Sequence, residues 1–118
     1  MERNLYFYRA IVQRVYDGDT CTVDIDLGLK TWIRGERIRL ARIDAPELRG
    51  DEREDGLRAR DFLRALIDGR EVIIQTLKDR TGRYGRYIAE IWLVEEDGRW
   101  LNVNDVLVKK GFAEYVEY

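Results

Sequence analysis

Thr20-Cys-Thr-Val-Asp-Ile-Asp-Leu27 alternates polar and apolar residues without a break. A period of two belongs to a β-strand, here over 19–27, with one buried and one wet face. Cys21, Val23, Ile25 and Leu27 are the expected buried set; Thr20, Thr22, Asp24 and Asp26 face the other way. Residues 6–15, rich in aromatic and β-branched side chains, predict a preceding strand, and Asp17-Gly18 is a turn signal between the two. Downstream, residues 31–43 predict a third strand, with Gly35 marking a bulge or bend and Asp44-Ala-Pro-Glu47 ending it.

Residues 48–56 are polar and predict a solvated loop. The period then changes: Ala59, Phe62, Leu63, Leu66 and Ile67 recur at helical spacing over 57–67, and Asp68-Gly69 stops the run. Strands follow at 71–77 and 86–94, separated by a basic loop at 78–85. After the turn at Asp97-Gly98, a short helix over 102–110 presents Val103, Val106 and Leu107, with Gly111 as its stop. The order β-β-β-α-β-β-α fits a closed five-stranded Greek-key barrel with helices, such as the OB-fold. At 118 residues the chain is expected to form one domain, 1–118.

Composition removes whole classes of chemistry. There is no histidine, which excludes Ser-His-Asp and Cys-His triads and zinc sites built on imidazole. The one cysteine, Cys21, excludes an intrachain disulfide and any multi-cysteine zinc site. An enzyme here works with carboxylates, Arg, Lys, Tyr, Ser/Thr or a hard metal ion. No apolar run approaches the ~18 residues of a membrane span, and Met1-Glu-Arg-Asn-Leu-Tyr6 carries no apolar leader. The expectation is no membrane role, with a cytoplasmic location, or a secreted one if a leader has been removed. The net charge of −2 does not advertise nucleic-acid binding. Of the 21 basic residues, however, only Lys30, Lys78, Lys109 and Lys110 are lysine. Arginine is the better bidentate partner for phosphate, although surface ion pairing also accounts for such a bias.

Several charged residues stand out. Asp19 shares parity with the buried set of its strand, where a charge is costly unless paired or bound to a metal. Taken alone, its spacing favours a turn residue capping local amides. Asp44 and Glu47 bracket the only proline, Pro46, whose fixed φ makes a rigid corner. Such a corner suits one carboxylate on a metal and one on a water, or simply a charged strand end. Arg39 lies on the strand leading to Asp44, between Ile38 and Leu40, with Arg34, Arg37 and Arg42 nearby; at least two of these four are expected to be solvated. Asp79-Arg-Thr-Gly-Arg-Tyr-Gly-Arg86 is a basic loop with one aromatic, suited to phosphate and base contacts or to solubility alone. Hydrolysing a phosphodiester without histidine takes a hard cation, a carboxylate for water and cationic donors for the growing charge. Two aspartates, one glutamate and two arginines supply all three.

Tyr16-Asp-Gly-Asp-Thr20, Arg39-Leu-Ala-Arg-Ile-Asp-Ala-Pro-Glu47, Arg80-Thr-Gly-Arg-Tyr-Gly-Arg86 and the terminal stretch Asn102 to Ala113 together resemble the staphylococcal nuclease (thermonuclease, micrococcal nuclease) family. The resemblance runs through nearly the whole chain in order. It implies an OB-fold barrel and a Ca²⁺-dependent nuclease that cleaves DNA and RNA, with single strands preferred and 3′-phosphate products. By position it implies Asp19, Asp44 and the Ala45 carbonyl as Ca²⁺ ligands, and Glu47 as general base or water-orienting group. It implies Arg39 and Arg86 as the phosphate clamp, and Arg83 and Tyr84 as contacts to a nucleotide's terminal phosphate. Ala45 stands where the founding member has threonine, and Gly82 replaces an acidic position. Tyr115 and Tyr118 are out of register with the founding member's nucleotide-side tyrosine and receive no role. A monomer is expected. The alternative is a non-catalytic nuclease-like module that binds nucleic acid or protein; such modules typically lose the catalytic arginines and carboxylates, and all five are retained here. A generic single-strand binder would need aromatic platforms, for which Trp32, Trp92 and Trp100 are the candidates.

Overall fold

The computed structural model describes residues 6–81 and 86–117. Strands β1 (Phe7–Asp17), β2 (Thr20–Gly28) and β3 (Thr31–Leu40) form an antiparallel meander. A two-residue strand β4 (Ile43–Asp44) follows, then helix α1 (Arg53–Ile67). Strand β5 (Glu71–Thr81) returns to pair with β1, and β6 (Tyr87–Val94) pairs with β5. Parallel pairing of Ile38, Arg39 and Leu40 with Tyr87, Ile88 and Ala89 joins β3 to β6. Five strands thus close into a barrel, the OB-fold expected from the element order. The chain ends with β7 (Trp100–Asn102) beside β6, helix α2 (Val103–Lys109) and β8 (Glu114–Tyr115) paired to β4.

The inner faces follow the period-two reading. Val12, Val15, Cys21, Val23, Ile38, Leu40, Ile74 and Ile91 form one core with Ala59, Leu63 and Ile67 of α1. Phe62 and Leu66 flank that core, and Phe62 stacks on Phe112 at 4.6 Å. Gly35 sits at the expected bulge, where the β2–β3 register shifts between Val23 and Ile25.

Several readings change. Leu27, expected inside, is 43% exposed because the end of β2 runs past the core. The third strand stops at Leu40: Arg42 adopts a left-handed φ of 68°, and the chain resumes as β4. The expected loop 48–56 contains a 3-10 turn (Gly50–Glu52) and the first turn of α1, which begins at Arg53. That turn is polar because it faces water, so it carries no apolar period to read. The fourth strand continues to Thr81, into the stretch expected as loop. A short strand, β7, precedes α2, whose Asn102 cap accepts from the Asp105 amide at 2.9 Å. Asp24, assigned to the wet face, is buried.

The Asp24 carboxylate accepts from the Gly35 amide at 2.9 Å, Gln13 Nε2 at 2.9 Å and Arg34 Nη1 at 3.0 Å. These bonds, the Gly35 amide first, hold its pKa below the usual carboxylate value of 3.8 despite burial. A depressed native pKa stabilises the fold above the unfolded value, and that stabilisation disappears as pH falls through the native one. Asp24→Asn should therefore be less stable than the parent near neutrality, with the difference shrinking below about pH 4. Urea unfolding midpoints across an acid pH series measure this.

Candidate active site

The topology gathers separated residues at one end of the barrel. Asp19 closes the β1–β2 turn, and its neighbour Thr20 pairs across β2–β3 with Arg39. The parallel β3–β6 ladder pairs Arg39 with Ile88, which brings Arg86, just before β6, alongside the same spot. Asp44 ends β4, five residues after Arg39.

These groups are joined by direct contacts. Asp19 is 7% exposed. Its Oδ2 accepts from the Ala45 amide at 2.8 Å and lies 3.5 Å from Arg39 Nη1. Its Oδ1 accepts from Thr20 Oγ1 at 3.2 Å. Arg39 Nη1 also donates to the carbonyls of Leu40 and Ile43, each at 2.9 Å, and Nη2 reaches Asp44 Oδ1 at 3.3 Å. Arg86 Nη1 donates to Thr20 Oγ1 at 3.4 Å. One chain of contacts therefore runs from Arg86 through Thr20, Asp19 and Arg39 to Asp44. The turn capping expected of Asp19 falls instead to Asp17, whose Oδ1 accepts from the Asp19 amide at 3.1 Å.

The electrostatics leave negative charge in excess. Burial, then the nearby Asp17 carboxylate, pushes the Asp19 pKa up to about 6, against the opposing pull of Arg39. Burial and then Asp19 raise that of Asp44. Two carboxylates share one guanidinium, and a further cation would relieve both. Hard oxygen donors of this kind suit Ca²⁺ or Mg²⁺. Among the described residues no three His, Cys, Asp or Glu side chains come close enough to hold an ion by themselves. A cation held by Asp19 and Asp44 would thus draw further ligands from a carbonyl such as that of Ala45, from water and from a bound phosphate. The residues fit a divalent cation on those terms.

Glu47 lies beyond Pro46, exposed, with Oε2 at 3.0 Å from Arg49 Nε. Its backbone is better fixed than its side chain. The Glu47 amide donates to Glu52 Oε1 at 3.1 Å, and Arg53 Nη1 donates to the Leu48 carbonyl at 2.9 Å. Two glycines allow the closest packing. A Cβ on Gly18 would lie 2.7 Å from the Cβ atoms of both Ala45 and Ala59, and one on Gly56 would overlap the Glu47 carbonyl. The segment 45–47 is thus seated between the β1–β2 turn and the first turns of α1.

With this geometry, the sequence matches the profile of the family described as staphylococcal nuclease homologue over residues 37–118. The chain belongs to the staphylococcal nuclease family. It is 37% identical to the Protein ParB of Escherichia coli over 109 residues, covering 89% of this chain and 55% of that one. It is 32% identical to the Endonuclease YhcR of Bacillus subtilis over 116 residues, 90% of this chain but 9% of that protein. The Thermonuclease of Staphylococcus hyicus is 31% identical over 109 residues, 90% of this chain and 57% of the relative. The chain spans little more than half the length of ParB and the thermonuclease.

Of the residues that the family resemblance singles out, Asp19, Arg39, Asp44 and the Ala45 backbone touch one another, Arg86 joins them through Thr20, and Glu47 stands beside them. Arg83 and Tyr84 lie outside the described residues. Thr20 was missed: its parity placed it on the wet face, yet it is buried between Asp19 and Arg86. Its position directly after Asp-Gly-Asp is the only sequence signal for it. Tyr115 packs under Arg42 at 5.7 Å and donates to Asp105 Oδ1 at 2.9 Å. Arg42 in turn bridges Glu90 and Asp105, so this cluster anchors β8 against β4, the strand carrying Asp44. None of the three tryptophans is in the core: Trp32 lies under Arg34 at 4.7 Å, and Trp92 and Trp100 sit 5.9 Å apart.

Proposed function

We propose that this chain is a Ca²⁺-dependent phosphodiesterase that hydrolyses DNA and RNA, single strands preferentially, as a monomer, leaving 3′-phosphate ends. The observation that carries it is the contact chain Arg86–Thr20–Asp19–Arg39–Asp44, with two guanidiniums and two carboxylates at one mouth and Glu47 at its edge. The endonuclease and thermonuclease names of the relatives support the same chemistry.

Asp19, Asp44 and the Ala45 carbonyl would hold Ca²⁺. The bound ion would neutralise a phosphate oxygen and help position water. Glu47 accepts a proton from the attacking water or orients it in line with phosphorus. Arg39 and Arg86 donate to the oxygens on which charge grows in the five-coordinate transition state, and so lower the barrier more than they tighten ground-state binding. Thr20 keeps Arg86 in register with Asp19.

The seat of Glu47 gives a separate prediction. Glycine to alanine inside a helix normally gains about 1 kcal/mol. Gly56→Ala should instead destabilise the protein, because the new methyl overlaps the Glu47 carbonyl. It should also lower kcat by on the order of tenfold to a hundredfold with little change in KM, since a displaced base costs orientation. Steady-state kinetics beside urea unfolding separate the two effects; an unchanged kcat would count against Glu47.

The proposal is tested by digesting labelled single-stranded DNA and RNA with Ca²⁺ and identifying the product ends. Cleavage of both, with ends that phosphatase converts to 3′-hydroxyls, is expected. Binding of the strand with no cleavage in Ca²⁺ would instead make the chain a nucleic-acid binding module.

A further inference from the structure

The arginines whose side chains the structure describes are nearly all engaged. Arg9, Arg34, Arg42, Arg49, Arg58, Arg60 and Arg99 pair with carboxylates, Arg53, Arg64 and Arg70 donate to carbonyls, and Arg39 and Arg86 belong to the cluster above. Arg14 and Arg37 are the exceptions: neither makes an ion pair or hydrogen bond with any described residue, and both are exposed. They are neighbours. Arg14 on β1 pairs with Thr22 on β2, which pairs with Arg37 on β3, so the two arginines flank one threonine on the outer barrel face. At ~4.8 Å per strand their Cα atoms lie about 10 Å apart.

The same two residues line a groove with Tyr16, Thr22 and Arg86. Tyr16 is 58% exposed, the most exposed aromatic ring among the described residues. The one carboxylate among the described residues of the groove, Asp17, is turned to the Asp19 amide. The cavity, about 330 Å³, falls at the small end of the range that holds organic ligands, about 300–1,000 Å³. Through Arg86 it opens directly onto the cluster.

We propose that this groove is a strand-binding subsite. It takes a phosphate of single-stranded nucleic acid, beyond the scissile one, between Arg14 and Arg37, with a base or sugar against Tyr16. Two described arginines left unpaired beside Arg86 put positive potential where the strand leaves the cluster. Guanidiniums grip phosphate in a bidentate fork, and a tyrosine face stacks on any base, so the subsite tolerates any sequence. The inference rests on the nuclease reading, but its test needs no cleavage.

The test measures anisotropy of a fluorescent oligothymidine of roughly a dozen nucleotides, in chelator, across a salt series. The doubly substituted Arg14→Ala/Arg37→Ala protein should bind on the order of tenfold more weakly, and the slope of log K against log salt should fall by about 0.7, the value for one phosphate on a single strand. Tyr16→Ala should weaken binding about tenfold and leave the slope unchanged; Tyr16→Phe should bind like the parent. Arg14→Lys/Arg37→Lys should restore the slope with only part of the affinity. Arg9→Ala/Arg99→Ala, with the same loss of charge elsewhere, should bind like the parent. Circular dichroism and urea midpoints verify that each variant is folded. Parent-like affinity and slope in the Arg14/Arg37 alanine variant would overturn the proposal. So would equal weakening in the Arg9/Arg99 control, or no measurable binding by the parent. A parent that binds through these residues but fails to cleave with Ca²⁺ would support the subsite and contradict the nuclease reading alone.

Discussion

Replacing Glu47 or Arg86 with alanine is expected to lower kcat on single-stranded DNA by on the order of a thousandfold or more. The two losses have different causes. Glu47 is exposed and, among the described residues, its carboxylate pairs with the solvent-facing Arg49, so its removal should leave stability nearly unchanged. The loss in rate then reflects the proton or the orientation of water. Arg86 is half-buried and bonds to Thr20, so Arg86→Ala should carry a small stability cost as well. Its main effect is the missing donor on a phosphate oxygen, which acts in the transition state and therefore appears in kcat more than in KM. Steady-state kinetics on both variants, with unfolding curves beside them, are the measurement. Near-parent kcat in a folded Glu47→Ala protein would remove Glu47 from the mechanism.

Arg39→Ala is expected to damage both stability and rate. The Arg39 side chain is 13% exposed and serves two carbonyls and two carboxylates. Removing it leaves the buried Asp19 charge without its cation and two carbonyls short of a donor. Breaking a buried pair in this way costs about 3 kcal/mol or more. The rate should fall by on the order of a thousandfold, because a clamp donor is lost and Asp44 loses its anchor. Arg39→Lys keeps the charge but not the fork, so it should recover stability better than rate. Urea midpoints and kcat, measured on all three proteins, check the pattern. Equal stability of the parent and Arg39→Ala would contradict the burial argument.

The barrel was legible because its signal is periodic. Cys21, Val23 and Ile25 of the alternating strand and the helical spacing over 57–67 both survive in the core, and Gly35 bends the strand where expected. What stayed hidden was polar structure. The first turn of α1 faces water and carries no apolar pattern. Asp24, Thr20 and Asn104 are buried polar residues, which read in sequence like solvated ones. Asn104 is fully buried: its Nδ2 reaches the carbonyls of Ala41 and Ala89, and its Oδ1 accepts from the Ile91 amide. Only the closure of β3 on β6 brings those three groups together, so no local spacing announces it.

The site shows the same division. Asp19 was conspicuous through its parity, and it is the buried centre of the cluster. Arg39, Asp44, Glu47 and Arg86 were ordinary charged residues until the family motifs set them in order. Their proximity depends on the β2–β3 and β3–β6 registers, which tie residues 20, 39 and 88 together across the sheet. Gly56 carried no chemical signal at all, because its importance lies in the absence of a side chain against the Glu47 carbonyl.

This cluster is proposed to hydrolyse phosphodiesters with a divalent cation. Timed digestion of single-stranded DNA by the parent protein, with Ca²⁺ and with excess chelator, tests it most directly, with folded Glu47→Ala as the third arm. The parent should cleave in Ca²⁺ alone, with essentially no cleavage in the other two arms. Cleavage that persists in chelator, or that Glu47→Ala performs at the parent's rate, would contradict it.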